Sequence, residues 1–258
     1  MKRSSWKNQM AVLAFVLCSP AICFASRPEA VATRVQPDLN TGIVVLRVTN
    51  VSGKDISAFN LSLVASYSNG TRQTGERMVD LLPRIISKAE GAGNSDLPFE
   101  GSLRPGDATE ETTSFAPILA DGSKLSSVVA EADVVVFTDN TADVQNEAAF
   151  GRIVTFRKSS AAATEEAVKV MNRHRATARS EREAAAASAR EIKQILVPRA
   201  KADSSSSAGM QLAMIIEDLE RIAMVQEGRA RGDLRDYVSK REMRATRMSA
   251  GARIEKNR

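Results

Sequence analysis

One histidine, His174, stands between Arg173 and Arg175, and it is the only imidazole the sequence offers as a general base or metal ligand. A histidine base needs an acid to orient it and a nucleophile within reach. No acid is near His174 in sequence, and the Gly-x-Ser-x-Gly elbow of a serine hydrolase does not occur. The expected role of His174 is a solvated helix residue, and a single histidine makes no zinc site. Both cysteines, Cys18 and Cys23, lie in the first 25 residues. Carboxylate chemistry needs two acids converging on one bond. Glu110 and Glu111 are neighbours on an expected strand, so they point to opposite faces. Asp139-Asn-Thr-Ala-Asp143 has oxygen ligands, but it lacks the central glycine and terminal glutamate of a calcium loop and reads as a turn. Gly91-Ala-Gly93-Asn-Ser95 is followed by no Lys-Ser/Thr pair and reads as loop, not as a phosphate cradle. No cofactor and no metal are expected.

The elements that must position these residues begin with an export signal. Lys2, Arg3 and Lys7 precede the apolar run Met10–Leu17, which is too short to span a bilayer, and Pro20 follows. Small residues at Cys23 and Ala25 set cleavage after Ala25, and a secreted or periplasmic location follows. Removal of residues 1–25 takes both cysteines and Trp6 with it, ruling out thiol catalysis and leaving the mature fold to be held by its core.

The mature chain divides by charge. Residues 26–140 carry a net −5 and residues 141–258 a net +7, and Val, Thr, Asn, Gly and Pro give way to Ala, Arg, Glu and Met at the same place. Residues 26–143 are expected to form a β domain. Thr41–Asn50 is β-branched, and Phe59, Leu61, Leu63, Ala65 and Tyr67 alternate with more polar residues. Asn69-Gly70 predicts a hairpin, with a return strand over Arg72–Leu82. Glu110–Ala116 and Ser126–Phe137 supply further strands. In the last, Val128, Ala130, Ala132, Val134 and Val136 are expected on one face, with Glu131 and Asp133 on the other. Leu82–Leu103, with its glycines and prolines, is expected to be a long loop.

The rest reads as helix. Residues 144–202 form a helical region, with a helix from about Asn146 and an alanine- and arginine-rich one over Glu165–Val197 that Pro198 stops. Residues 203–209 form a serine-rich linker, and residues 210–258 a basic helical tail. In the tail Leu212, Ile215, Ile216, Leu219 and Ile222 recur at helical spacing as a packing or self-association seam. Asp233 is expected to cap a last helix.

The run Val48-Thr-Asn-Val-Ser-Gly-Lys-Asp-Ile56, the stretch Phe59 to Gly70 and the turn Leu103-Arg-Pro-Gly-Asp107 resemble secreted prokaryotic β-sandwich modules of the FxLYD type, over residues 40–137. Ser66-Tyr67-Ser68 departs from the Leu-Tyr-Asp of that pattern. The resemblance implies an immunoglobulin-like antiparallel β-sandwich that serves as an extracellular binding or scaffold module. No functional residue carries over from it.

The expectation is therefore a non-enzymatic envelope protein whose β-sandwich contacts an unidentified protein partner while its helices pack or self-associate. The alternative is attachment through Arg173, Arg175, Arg179, Arg182, Arg241, Arg244 and Arg247 to an anionic membrane surface or polymer. With few aromatic residues to spare as stacking platforms, nucleic acid is not the expected partner. A carboxylate-based site in the Leu82–Leu103 loop is the remaining alternative.

Overall fold

Alternation along the first half builds two sheets that share one apolar core. A computed structural model describes residues 30–89, 101–202, 206–224 and 233–257. Strands β1 (Val31–Pro37), β2 (Ile43–Asn50) and β5 (Ala108–Ser114) form one antiparallel sheet in the order β1-β2-β5. The second sheet is ordered β4-β3-β6-β7-β8, from β3 (Ile56–Tyr67), β4 (Arg72–Asp80), β6 (Leu125–Phe137), β7 (Thr141–Val144) and β8 (Glu255–Lys256). Val44, Leu46 and Val48 of β2 meet Phe59, Leu61, Leu63 and Ala65 of β3 in a single buried cluster. Gly42 closes one end. Its φ is +74°, and a Cβ there would lie 2.0 Å from the Phe115 carbonyl oxygen, so only glycine fits.

Two of the three register shifts between β3 and β6 re-aim side chains where α2 covers the sheet. Ile56 pairs with Phe137 and Ala58 with Val136, which leaves Ser57 as an extra residue in β3. Asn60 pairs with Val134 and Leu61 with Ala132, which leaves Asp133 extra in β6. A bulge shifts every later side chain to the other face. The alternation expected in β6 therefore holds only up to Ala132. Val135 and Phe137 join the core between the sheets, whereas Val134 and Val136 turn outward. Asp133, expected to face solvent, is 9% exposed.

The outward side chains are covered by α2 (Glu147–Thr177), whose Ala149, Phe150 and Ile153 pack on Ala58, Val134, Val136 and Ala142. Asn146 caps this helix by accepting the Ala149 N–H at 3.1 Å, and its amide donates to Asp133 at 2.8 Å. The start of α2 is thus tied directly to the bulge.

The expected loop over Leu82–Leu103 begins instead as helix α1 (Leu82–Ala89). Asp80 accepts the Leu82 N–H at 3.0 Å, and Pro83 sits in the first turn, where its missing N–H costs nothing. Ile86 is buried against Ala161 and Met248.

The helix expected over Glu165–Val197 is also redrawn. Its first part belongs to α2, which ends at Thr177, and α3 (Glu181–Glu191) starts after a break. Ser180 caps α3 through the Glu183 N–H at 3.2 Å, and the Glu183 carboxylate accepts the Arg179 N–H at 3.0 Å. Pro198 does not stop the chain. A π-helical turn over Ile192–Leu196 passes into α4 (Val197–Ala202), and the wider turn makes room for the proline ring. The expected linker over 203–209 is helical from Ser206, where α5 (Ser206–Met224) begins. Capped by Asp233, α6 (Leu234–Gly251) follows, after which the chain returns to the β half. There β8 pairs in parallel with β7, so the expected helical tail ends as a strand.

Candidate functional site

The densest polar cluster lies where sheet, α1, α2 and α6 meet. Arg157 of α2 is fully buried, and its Nε and Nη2 each donate at 2.9 Å to the two oxygens of Asp80. Nη1 donates to the Gly251 carbonyl at 2.7 Å, and Nη2 also reaches the bulged Ser57 hydroxyl at 3.2 Å. One guanidinium therefore links the end of β4, the bulge of β3 and the last turn of α6. A buried charge is tolerated when it is paired and its remaining donors are filled. That condition is met here, and the arrangement is one of positioning.

The second cluster surrounds Asp133. Its Oδ1 accepts from Asn60 at 2.8 Å, and its Oδ2 from Ser62 at 2.6 Å and from Asn146 at 2.8 Å. Asp133, Glu131 and Asp143 line a cavity of about 230 Å³ beside Val31 and Val144. Asp143 in turn accepts from the Asn257 amide at 2.8 Å, which fixes the end of β8. Three acids gather here, far along the chain from the Leu82–Leu103 segment. Its volume falls below the roughly 300–1,000 Å³ of ligand clefts, and two of its three carboxylates already hold side-chain amides.

His174 does have an acid partner, supplied from another helix. Its Nε2 lies 2.8 Å from the Glu191 carboxylate, which also binds Arg173. The Arg173 guanidinium, with the His174 ring second, holds the Glu191 carboxyl below its usual range. The three residues clamp the end of α3 to α2. Glu110 and Glu111 point apart as expected: Glu110 pairs with Arg47 within its own sheet, and Glu111 binds Arg77 across to β4 at 2.5 Å.

The seven arginines separate into two sets. Arg173, Arg175, Arg179 and Arg182 sit around the α2–α3 turn, among Glu181, Glu183, Glu191 and Asp233. Within that acid set the Asp233 carboxyl pushes Glu181 above its usual value. Arg241, Arg244 and Arg247 are placed elsewhere, inside the packing of α6. Arg241 is 9% exposed and donates to Asp218 at 2.6 Å over the Tyr237 ring, whose hydroxyl reaches the same carboxylate. Burial pushes the Tyr237 phenol up. Arg244 is 6% exposed and donates to Ser87 of α1 at 2.8 Å, and Arg247 is half-buried. These three do not form a surface patch, because the helix face that carries them is turned onto α1, α2 and α5. The seam residues Leu212, Ile215, Ile216 and Leu219 are buried in one helical core with α2, α3 and α6, and Ile222 packs at its margin.

No family model matches the chain. No curated protein matches it either. A 1.85 Å X-ray structure of a hypothetical protein from Peptoclostridium difficile 630 is similar over 47% of this chain and 89% of that one, at 14% identity. Its TM-score is 0.28, and so remote a likeness carries no argument.

The residues that organise the site were not singled out from sequence. Arg157 and Asp80 are 77 positions apart, and the partners of Asp133 come from β3 and the α2 cap. One local signal was present, the Ser180-x-x-Glu183 spacing of a helix start. The expected export signal, residues 1–25, and the Gly91–Ser95 loop lie outside the described residues. Asn50-Val-Ser52, Asn60-Leu-Ser62 and Asn69-Gly-Thr71 have the spacing of glycosylation acceptors, and Asn50 and Asn60 are buried strand residues.

Proposed function

We propose that the chain is an exported binding protein of the cell envelope that works by surface contact and not by catalysis. In this reading an immunoglobulin-like β half of the FxLYD type meets a protein partner, and the helices brace it from behind. The observation that carries the reading is the use of the converging ionisable groups. Arg157 with Asp80, Asp133 with its three donors, and Arg241 with Asp218 each join separate elements of the fold. Each of these groups is committed to holding elements of the fold together, and that structural use favours a role through contact surfaces.

The two turns that carry the family resemblance support the immunoglobulin-like part of the reading, because they bond to each other. The Asn50 amide donates to the Leu103 carbonyl at 2.8 Å, and the Gly106 N–H donates to the Asn50 carbonyl at 2.8 Å. The surface offered is the stretch of the β3–β6 face beyond α2. There Val129, 58% exposed, pairs with Val64.

A photo-crosslinking amino acid placed at Val129, and separately at Arg182, tests the proposal in exported protein whose N-terminus is sequenced. The expected result is processing to Ser26 and a discrete crosslinked protein from Val129 alone. Crosslinks only from Arg182, or an unprocessed chain, would sink the proposal.

A further inference from the structure

The helical half contains a second opening, of different character. A groove of about 470 Å³ runs between α2, the π-turn with α4, and the start of α5. Its walls are Ala162, Ala163, Leu196, Ala200, Ala208 and Leu212. Alanine at four of these six positions leaves space between helices that larger side chains would fill. The groove is bounded along α2 from Thr155 to Glu166, a rise of about 16 Å at 1.5 Å per residue. It therefore extends about 16 Å along α2, and its volume of about 470 Å³ lies within the roughly 300–1,000 Å³ usual for small-molecule clefts.

Two charged side chains stand at its edge. Glu166 is paired at 2.6 Å with Lys169, both largely exposed, so a cation lies beside its carboxylate. Arg199 lines the groove, is exposed, and forms no ion pair among the described residues. Thr155 and Ser159 add hydroxyls and no charge. An apolar slot with a lone guanidinium at its solvent edge is complementary to a molecule with an unbranched hydrocarbon chain and a carboxylate at one end. The guanidinium fork matches a carboxylate in bidentate geometry. We infer that this groove binds a medium-chain fatty acid, with the alkyl chain against the alanine and leucine walls and the carboxylate on Arg199. The site goes beyond the contact role proposed above, and crosslinking at Val129 in the β half reads that role separately.

Isothermal titration of the mature chain, residues 26–258, with decanoate and separately with decan-1-ol tests the inference. Decanoate is expected to bind saturably at one site. Arg199→Gln should weaken decanoate by about tenfold or more, the loss of one charge-assisted pair, while leaving the alcohol unchanged. Ala162→Phe, which fills the slot from its exposed rim, should abolish binding of both. If circular dichroism shows that this variant is unfolded, Ala162→Leu takes its place. Absence of saturable binding to the unaltered chain would overturn the inference. So would undiminished binding in the filled variant, or equal weakening of acid and alcohol by Arg199→Gln.

Discussion

The Arg157 guanidinium forks onto both oxygens of Asp80, at 2.9 Å each, with 0% and 3% of the two side chains exposed. This pair lies where α2 of the helical half touches the end of β4 and, through Gly251, the end of α6. Around it the β half and the helices become one body, which gives the proposed contact protein a rigid support.

Breaking the pair from one side leaves a buried, unpaired charge. Arg157→Met should lower stability by about 3–5 kcal/mol, read as a shift in urea midpoint at constant slope. Asp80→Asn should cost a similar amount, because it strands the fully buried Arg157 guanidinium even though the amide oxygen can still accept the Leu82 N–H. The double variant should lose less than the sum of the two, since the second change removes the charge that the first stranded. Additive losses would mean that the two side chains are not coupled.

Gly251 leaves little room for a side chain. A Cβ there would sit 2.4 Å from a Leu82 methyl, so Gly251→Ala obliges the Leu82 side chain to shift where α1 meets α6, beside the carbonyl that Arg157 binds. The expected cost is about 1–3 kcal/mol. Leu82→Ala in the same chain should recover part of it, measured by thermal unfolding, because the clash is with the tip of that side chain.

The Lys54–Asp139 contact makes the fold sensitive to acid. The hydrogen bond from Lys54, followed by that from Thr141, holds the Asp139 carboxyl down to about 2. Its folded value is below its unfolded value, so the contribution is present above the ordinary carboxylate range and is lost as pH falls from about 4 towards 2. Both side chains are about half exposed, which keeps the effect small. A carbon-detected NMR titration should place Asp139 near 2, and Lys54→Met should move it up towards the ordinary value.

Anionic vesicles should bind residues 26–258 poorly at any ionic strength. The arginines at the α2–α3 turn stand among acids, and Arg173 is already paired with Glu191. Little sedimentation with phosphatidylglycerol vesicles is expected even at low salt. Strong binding at low salt that falls away by about 0.15 M, where the screening length is about 8 Å, would instead favour attachment through the basic helices.

Much of the fold was legible in short windows of sequence. The alternation of Phe59 to Tyr67, the Asn69-Gly70 turn and the Asn146 and Asp233 caps each depend on neighbours in the chain, and each element formed where its pattern lay. Where reading failed, distant partners decided the outcome. Asp133 looked like a solvent-facing acid because period-2 alternation cannot register a bulge, and the bulge exists because Asn60, Ser62 and Asn146 converge on that carboxylate. Arg241 and Arg244 looked like surface charge because composition does not reveal which face of α6 is covered. Leu82–Ala89 looked like loop because Pro83 obscures a helix that Asp80 caps and Met248 helps bury.

The claim on which the rest stands is that sheet and helices form one cooperative body keyed by Arg157. Native-state hydrogen exchange of residues 26–258, followed by mass spectrometry under increasing urea, measures this directly. Core amides of β3 and β6 and those of α2 and α6 should merge at one opening free energy in the unaltered chain, and they should separate into two in Arg157→Met. Two distinct opening energies in the unaltered chain, unmoved by that substitution, would contradict the account.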